Sequence, residues 1–217
     1  MKLYLSSFRL GAESDKVAQL LPDRHAPIGF VPNALDYLGA DPKKRDAGIS
    51  RDLSELSALG LSIEYLDLRQ YFSSQSALRT KCAALSGLWV RGGNVFVLRQ
   101  AMALSGLDVL LRERLSTDFF YGGYSAGCCV LAPSLKCYQI VDDAVNFPYP
   151  QSQETMWEGL GFLDYAFLPH FDSDHPESAE IAKELEYCIA EGLPYKTFRD
   201  GEVEIVEKCG PCLARGA

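Results

Sequence analysis

Short apolar segments alternate with longer amphipathic segments along most of the chain. The apolar segments that are typical of strands are residues 2–7, 28–32, 61–68, 87–90, 119–124 and 162–168. Apolar residues at helical spacing predict helices over residues 50–60, 73–85, 94–103, 107–115 and 126–131. Strands that alternate with helices predict an α/β fold, with a mostly parallel, doubly wound sheet covered by helices on both faces.

The later part of the chain predicts one more helix and a long loop. Asp174 and Glu177 form a capping-box pattern, and the helix that follows ends at Gly192. The apolar face of this helix consists of Ile181, Ala182, Leu185, Cys188 and Ile189. Residues 133–160 have no clear periodicity and predict a long loop, which in a compact domain is often functional.

Length and composition favour one globular domain. The chain has 217 residues, of which 47% are hydrophobic and 23% charged. We expect the domain to cover residues 1–208 and residues 209–217 to form a short tail. The formal net charge of -8 argues against a nucleic-acid partner, because phosphate binding needs a basic patch. No apolar run is long enough to span a membrane, and Arg9 interrupts the first apolar segment too early for a secretory signal.

The cysteines indicate a reducing compartment. There are 7, an odd number that does not suit a disulfide framework, so we expect a cytoplasmic protein. Cys209 and Cys212 are separated by Gly-Pro, as in thioredoxin-type redox motifs. Such a motif needs a following helix that lowers the thiol pKa, and too few residues follow Cys212 to form one. We therefore expect this cysteine pair to be dispensable.

Residues 123–127 form a G-x-S-x-G motif with Ser125 at its centre. The motif lies between an apolar strand and an apolar helix, which is the context of a nucleophile elbow. The start of the helix directs N–H groups and positive dipole to this turn, and both favour developing negative charge. The alternative is a small-residue turn that only packs tightly. Gly-Gly-Asn at residues 92–94 either brings a backbone N–H close to an oxyanion or is a plain turn before a helix.

A nucleophilic serine needs a base, and the chain has 3 histidines. His170 directly follows the strand-like residues 162–168, so we expect its side chain to project from a strand end toward Ser125. His25 lies in a turn-rich surface loop. His175 lies at the start of the next helix, where it either contacts substrate or serves packing.

The base in turn needs a carboxylate that orients it. Asp200 follows the strand-like residues 195–198 and is our candidate. The same residues also predict a hairpin with residues 202–206 across Asp200-Gly201, because Asp-Gly is a common turn pair. The other candidate carboxylates are Asp142, Asp143, Asp172 and Asp174.

These motifs together resemble the peptidase E family, the aspartyl dipeptidases. The segments that carry the resemblance follow the family order and are residues 30–34, 66–69, 92–96, 123–127, 169–171 and 199–201. The resemblance implies a flavodoxin-like, class I glutamine amidotransferase-like fold in a single domain. It implies Ser125 as nucleophile, His170 as general base and Asp200 as its acidic partner. It also implies oxyanion donors at the backbone N–H groups of Gly93 and Ala126.

The resemblance further implies the reaction, which is hydrolysis of short peptides, above all dipeptides with a free N-terminus, through an acyl-enzyme. We expect a small peptide as substrate, no cofactor and no metal. We expect no nucleic-acid or membrane partner, and a monomer or a homodimer. Asn94 and His175 are the residues expected to contact the substrate.

One departure from the family affects the side-chain preference. Aspartyl-specific members look to hold the substrate aspartate with an arginine after the catalytic histidine. This chain has no arginine between that histidine and Arg199, and its helix carries Ser178 and Ala179. Because burying a carboxylate without a cation is costly, we expect at most a weak preference for N-terminal aspartate. Lys183 or Lys196 can restore the preference if either reaches the site.

Three alternatives remain open from the residues alone. An esterase of the α/β-hydrolase type also has a G-x-S-x-G motif, but its acid precedes its histidine, so Asp142 or Asp143 would pair with His170. The short chain and the Gly-Gly-Asn turn argue against it. An amidotransferase-like fold used for binding would leave Ser125 without a catalytic role. A thioredoxin-like redox protein would need its cysteine pair in the sheet.

Overall fold

The computed structural model describes residues 1–39 and 41–207. The strands are β1 (Lys2–Ser6), β2 (Ile28–Val31), β3 (Ile63–Tyr65), β4 (Gly87–Val90), β5 (Phe120–Tyr124), β6 (Ala166–Leu168), β7 (Tyr195–Thr197) and β8 (Val203–Val206). The α-helices are α1 (Val17–Leu20), α2 (Pro42–Ala58), α3 (Gln75–Ala83), α4 (Val95–Ser105), α5 (Leu107–Arg114), α6 (Ala126–Cys129) and α7 (Ser178–Ala190). Short 3₁₀ helices cover Ser14–Lys16, Asn33–Leu38, Leu68–Tyr71 and Lys136–Ile140. The predictions for Cys209 and Cys212 concern residues outside the described part of the chain.

The main sheet has six strands in the order β3-β2-β4-β5-β1-β8. Its pairings are parallel except that of β8, which lies antiparallel to β1. Every residue of β2, β4 and β5 is buried, as expected for a parallel sheet covered on both faces. This architecture confirms the predicted α/β fold with a mostly parallel, doubly wound sheet.

Two hydrophobic clusters lie on the two faces of the main sheet. Leu3 and Leu5 pack in the larger cluster and Tyr4 packs in the smaller one, because successive side chains of a strand point to opposite faces. Helices α3 to α7 contribute to the larger cluster, while α1 and α2 contribute to the smaller one. The carboxyl ends of β1, β4 and β5 meet at one edge, where doubly wound sheets bind ligands.

Helix α2 begins earlier than predicted. The sequence pattern predicted a start at residue 50, but the helix starts at Pro42, and the side chain of Asp41 accepts a hydrogen bond from the backbone N–H of Lys44. Proline at the first helical turn and aspartate at the cap are a common helix start. The prediction was wrong because residues 42–47 are polar or exposed, so no apolar periodicity marks this part of the helix.

The predicted hairpin between residues 195–198 and 202–206 is also wrong. Strand β7 pairs in parallel with β6 in a separate two-stranded sheet, whereas β8 pairs with β1 in the main sheet. The reason is that α7 connects β6 to β7 as the crossover of a βαβ unit, which only a parallel pair requires. The turn at Asp200-Gly201 therefore carries the chain from the small sheet to the edge of the main sheet.

Helix α7 differs from the sequence prediction at its start and on its buried face. Its N-cap is Glu177, and no side chain caps it, so the predicted capping box is not formed. Its fully buried residues are Ile181, Glu184 and Cys188. Ile189, which the prediction placed on the apolar face, is 60% exposed. The buried face is therefore rotated toward Glu184, an acidic residue.

Candidate active site

Ser125 lies at a strained turn between β5 and α6. Its backbone has φ 49° and ψ -122°, which is unfavourable for a residue with a side chain. A Cβ at Gly123 or Gly127 would lie 2.6 or 2.2 Å from the carbonyl oxygen of Val90, so both positions need glycine. The hydroxyl of Ser125 makes no hydrogen bond with the part of the chain that the structure describes. The turn thus presents an unengaged hydroxyl at the edge of the sheet.

His170 and Asp200 form a close pair beside this turn. His170 Nδ1 lies 2.6 Å from Asp200 Oδ1, and the His170 side chain is 2% exposed. His170 follows β6 and Asp200 follows β7, so both come from the two-stranded sheet and not, as expected, from strands of the central sheet. Since Asp200 accepts at Nδ1, the assigned tautomer leaves the Nε2 lone pair of His170 free.

Burial sets the protonation state of His170. Removal of the ring from water lowers the pKa of His170 below its usual 6.5, and the hydrogen bond that the ring donates to Asp200 opposes this shift without reversing it. The imidazole is therefore largely neutral at neutral pH, which is the form that can accept a proton.

Ser7, which sequence reasoning missed, connects this pair to the main sheet. Ser7 Oγ accepts a hydrogen bond from the backbone N–H of His170 at 2.9 Å and lies 3.2 Å from Asp200 Oδ1. Ser173 Oγ accepts a hydrogen bond from the backbone N–H of Asp200 at 2.8 Å. His170 has a positive φ of 60°, so these bonds hold a strained backbone in place. No local sequence signal points to Ser7, because its partners are distant in the chain.

A cavity of about 660 Å³ opens at this edge of the sheet, and both Ser125 and His170 line it. Their side chains are not hydrogen-bonded to each other. The carboxylate that pairs with His170 is Asp200, so neither Asp142 nor Asp143 occupies the position that the esterase alternative requires. The structure therefore joins two of the three candidate residues directly and brings the third to the same cavity.

Gly93 and Ala126, the candidate oxyanion donors, lie beside Ser125. Both line a small recess next to Ser125, and neither backbone N–H donates a hydrogen bond to another described residue. Gly93 has φ 147°, and a Cβ there would lie 2.4 Å from the carbonyl oxygen of Ala34. Glycine is required at this position because the backbone passes so close to its neighbour. The two N–H groups are thus available to a ligand.

Asn94 and His175, expected to contact substrate, both line the cavity. Asn94 uses its side chain within the protein: Oδ1 caps α4, and Nδ2 donates to the carbonyl oxygen of Asp143 at 3.0 Å. The ring of His175 stacks on the ring of His170, with centroids 3.7 Å apart and planes 8° apart. His175 Nδ1 accepts from the backbone N–H of Glu177 at 3.3 Å, which leaves Nε2–H as a donor.

His170, His175 and Glu177 are the one cluster of potential metal ligands within the described ranges. Imidazole lone pairs lie in the plane of the ring, and two stacked parallel rings direct them side by side. They therefore do not converge on one ion, as a metal site requires. His170 also already uses Nδ1 for Asp200. This donor set therefore does not suit a metal.

One wall of the cavity is acidic. Asp142, Asp143 and Glu177 line it, and Glu184 lines the small recess beside Ser125. Asp142 Oδ2 accepts a hydrogen bond from the backbone N–H of Val95 at 2.7 Å. Burial is the main cause that raises the pKa of Asp142 to about 7 and that of Glu184 to about 9.

A second part of the lining, which we call the basic wall, was not predicted. Lys44, Arg51 and Arg91 line it. Arg91 is buried and donates from Nε to Asp52 Oδ2 at 2.6 Å, and the hydroxyl of Tyr124 donates to the same oxygen at 2.6 Å. The charge of Arg91 is therefore compensated within the protein.

The lysines expected to restore an aspartyl preference lie elsewhere. Lys183 is 3.9 Å from Glu180, and Lys196 is 2.6 Å from Glu204. Neither lysine lines the cavity. Among the described residues, the lysines and arginines that line the cavity are those of the basic wall.

Comparisons with known proteins agree with this fold. The model of peptidase family S51 matches residues 8–192. An uncharacterised peptidase of Listeria monocytogenes is 31% identical over 54% of this chain and 55% of its own length, and one of Listeria innocua is 29% identical over 54% of both. The chain spans about half the length of the curated relatives it matches. No described helix is long and apolar enough to cross a membrane.

Solved structures show the same fold. A crystal structure of a candidate peptidase E from Listeria monocytogenes has a TM-score of 0.73 and 21% identity, covering 94% of this chain and 97% of that one. A peptidase from an acI-B1 Actinobacterium has a TM-score of 0.58 and 19% identity, covering 85% and 74%. The family match over most of the chain confirms the resemblance to the peptidase E family, and the chain belongs to peptidase family S51.

Proposed function

We propose that this protein is a serine peptidase that hydrolyses short peptides, above all dipeptides with a free N-terminus. The observation that carries the proposal is the 2.6 Å contact between His170 Nδ1 and Asp200 Oδ1 on the cavity that Ser125 lines. A strained serine, a neutral buried histidine and a carboxylate in one place have the roles of a catalytic triad.

In the proposed first step, His170 Nε2 accepts the proton of Ser125 Oγ, which attacks the scissile carbonyl carbon. The carbonyl oxygen becomes an oxyanion and accepts hydrogen bonds from the N–H groups of Gly93 and Ala126. His170 then gives the proton to the leaving amine, and the peptide bond breaks. Water repeats the sequence on the acyl-Ser125 ester and releases the acid. Because Ser125 and His170 are not hydrogen-bonded, we expect the Ser125 side chain to rotate when substrate binds.

The cavity favours a small zwitterionic substrate. Its volume of about 660 Å³ is within the range typical of small-molecule sites. Its acidic and basic walls complement the ammonium and carboxylate of a short peptide. Arg91 and Arg51, two of the three basic residues that line the cavity, are already paired with Asp52. We therefore propose a weak preference for N-terminal aspartate.

Labelling with a fluorophosphonate probe tests the chemistry. We expect wild type to be labelled and Ser125→Ala not to be, with hydrolysis of Ala-Leu lost in the same variant. A wild-type protein that is neither labelled nor active on a dipeptide library would instead be a binding protein.

A second experiment tests specificity, and it compares kcat/KM for Asp-Leu, Ala-Leu and Leu-Leu. An advantage of about 100-fold for Asp-Leu would contradict the weak preference.

A further inference from the structure

A small recess lies behind the candidate nucleophile. Ser125, Ala126 and Gly93 border it on one side, and Asp142 and Glu184 line it on another. Its volume is about 20 Å³, which is room for roughly one water-sized group. An ammonium group has this size, as does a methyl group, whereas larger side chains do not fit.

Glu184 lines this recess and has no hydrogen-bond partner at Oε2 among the described residues. Its side chain belongs to the buried face of α7, the residue is 1% exposed, and Oε2 makes no hydrogen bond to another described residue. The titratable groups that act on it are Asp142, Cys188 and Glu177, and each of them is negative when ionised. A buried carboxyl group without a partner is costly, so the fold alone does not explain this residue.

We propose that Glu184 and Asp142 bind the α-ammonium group of the substrate's N-terminal residue. The inference rests on the proposed peptidase function and names the residues that would select a free N-terminus. In any peptide, the α-nitrogen is two bonds from the carbonyl carbon of the same residue. A carbonyl carbon in reach of Ser125 Oγ, with its oxygen directed to Gly93 and Ala126, therefore puts that nitrogen close to the recess.

The protonation of Glu184 fits a site that is completed by a cation. Because burial and acidic neighbours raise its pKa, Glu184 is a neutral acid in the ligand-free protein at neutral pH. When an ammonium group binds, the carboxylate becomes the favoured form, and the carboxyl proton is released to solvent. The balance is one ammonium bound and up to one proton released, with no covalent change.

The isosteric variant Glu184→Gln tests the proposal. We measure kcat/KM for Ala-Leu and for N-acetyl-Ala-Leu, which lacks the α-ammonium group. Wild type should strongly prefer Ala-Leu, and Glu184→Gln should reduce this ratio about 10- to 100-fold, mainly through KM. The matched control is Glu180→Gln, on the exposed side of the same helix, which should keep the wild-type ratio. An unchanged ratio in Glu184→Gln overturns the proposal.

Two further measurements separate this inference from the proposed function. Far-ultraviolet circular dichroism and the urea denaturation midpoint should be similar in wild type and Glu184→Gln, which shows that the variant is folded. In Ser125→Ala, calorimetry should detect Ala-Leu binding with proton release, and much weaker binding of N-acetyl-Ala-Leu. Equal binding of the two peptides overturns the ammonium site. Absence of labelling and hydrolysis in wild type rejects the peptidase function, while the calorimetric comparison still decides the ammonium site.

Discussion

The basic and acidic sides of the site differ in whether their buried ionisable residue has a partner within the protein. On the basic wall, buried Arg91 is paired with Asp52 at 2.6 Å, and Tyr124 adds a second hydrogen bond to the same carboxylate. On the acidic side, buried Glu184 has acidic neighbours and no hydrogen bond at Oε2. A charge that the protein compensates itself contributes to the fold, whereas a buried acid that it leaves without a partner is available to a ligand.

The largest expected effect is that of removing the nucleophile, which abolishes the reaction but leaves binding at both walls intact. Ser125→Ala should reduce kcat for Ala-Leu by at least about 10⁴-fold, because the acyl-enzyme cannot form. Calorimetry should still detect the dipeptide, since neither wall is altered. Retention of more than about one percent of the activity would mean that another group is the nucleophile.

The next largest effect is a difference in stability between variants of the two walls. Asp52→Asn leaves buried Arg91 without its counter-charge and should lower the free energy of unfolding by about 3 kcal/mol. The same change of carboxylate to amide in Glu184→Gln should lower it by less than about 0.5 kcal/mol or raise it. Urea denaturation of the two variants beside wild type gives both numbers. Equal losses would show that Glu184 has a structural partner.

The pH dependence of activity follows from His170, which lies between the walls. Since burial lowers its pKa below 6.5, kcat/KM should fall about tenfold per pH unit below a midpoint that is more acidic than 6.5. The base is active when neutral, so activity rises with pH through this midpoint. Asp200→Asn should lower the rate and move the midpoint to still lower pH. If kcat/KM is instead the same at about pH 5 and at neutral pH, His170 is not the base.

The pH dependence of stability should depend on Glu184, the buried acid without a hydrogen bond at Oε2. The pKa of Glu184 is raised from 4.5 to about 9, so the folded protein holds a proton that the unfolded chain releases. Wild type should therefore lose stability relative to Glu184→Gln as pH rises between these values, by roughly 1–3 kcal/mol. The slope from His170 has the opposite sign but is common to both proteins and cancels. A constant difference between the proteins at pH 5, 7 and 9 would contradict this.

The smallest effect is expected at the exposed part of the basic wall. The side chain of Arg51 is 46% exposed, so solvent screens its charge. Arg51→Gln should raise KM for Ala-Leu about 2- to 3-fold at low salt, and this change should vanish at high salt. If KM instead rises by more than about 30-fold and stays raised in high salt, the basic wall binds the ligand as directly as the acidic wall does.

The parts of the fold that follow from local patterns were predictable from sequence. Strands β4 and β5 are short apolar runs, and the glycines around Ser125 signal the elbow before any contact is known. The pairing of β7 with β6 was not predictable in this way, because a strand pattern does not name its partner. The periodicity predicted the existence of α7 but not which face it buries.

The walls were missed for a related reason. Arg91 and Asp52 are 39 residues apart, and only the packing of α2 against the sheet brings them together. Glu184 did leave a signal, since it lies between Ile181 and Cys188 at the spacing of a buried helix face. An acidic residue at such a position is unusual and indicates either a buried partner or a ligand.

The hydroxyl of Ser7 has a consequence for when the site comes into being. It joins the end of β1 to His170 and Asp200, which lie 163 and 193 residues further along the chain. A folding intermediate that contains only the main-sheet strands up to β5 has the elbow but lacks the histidine and its acid. The proposed hydrolytic activity therefore requires that the segment through Asp200 has docked on β1. Until then, the folding chain cannot hydrolyse other peptides by this route.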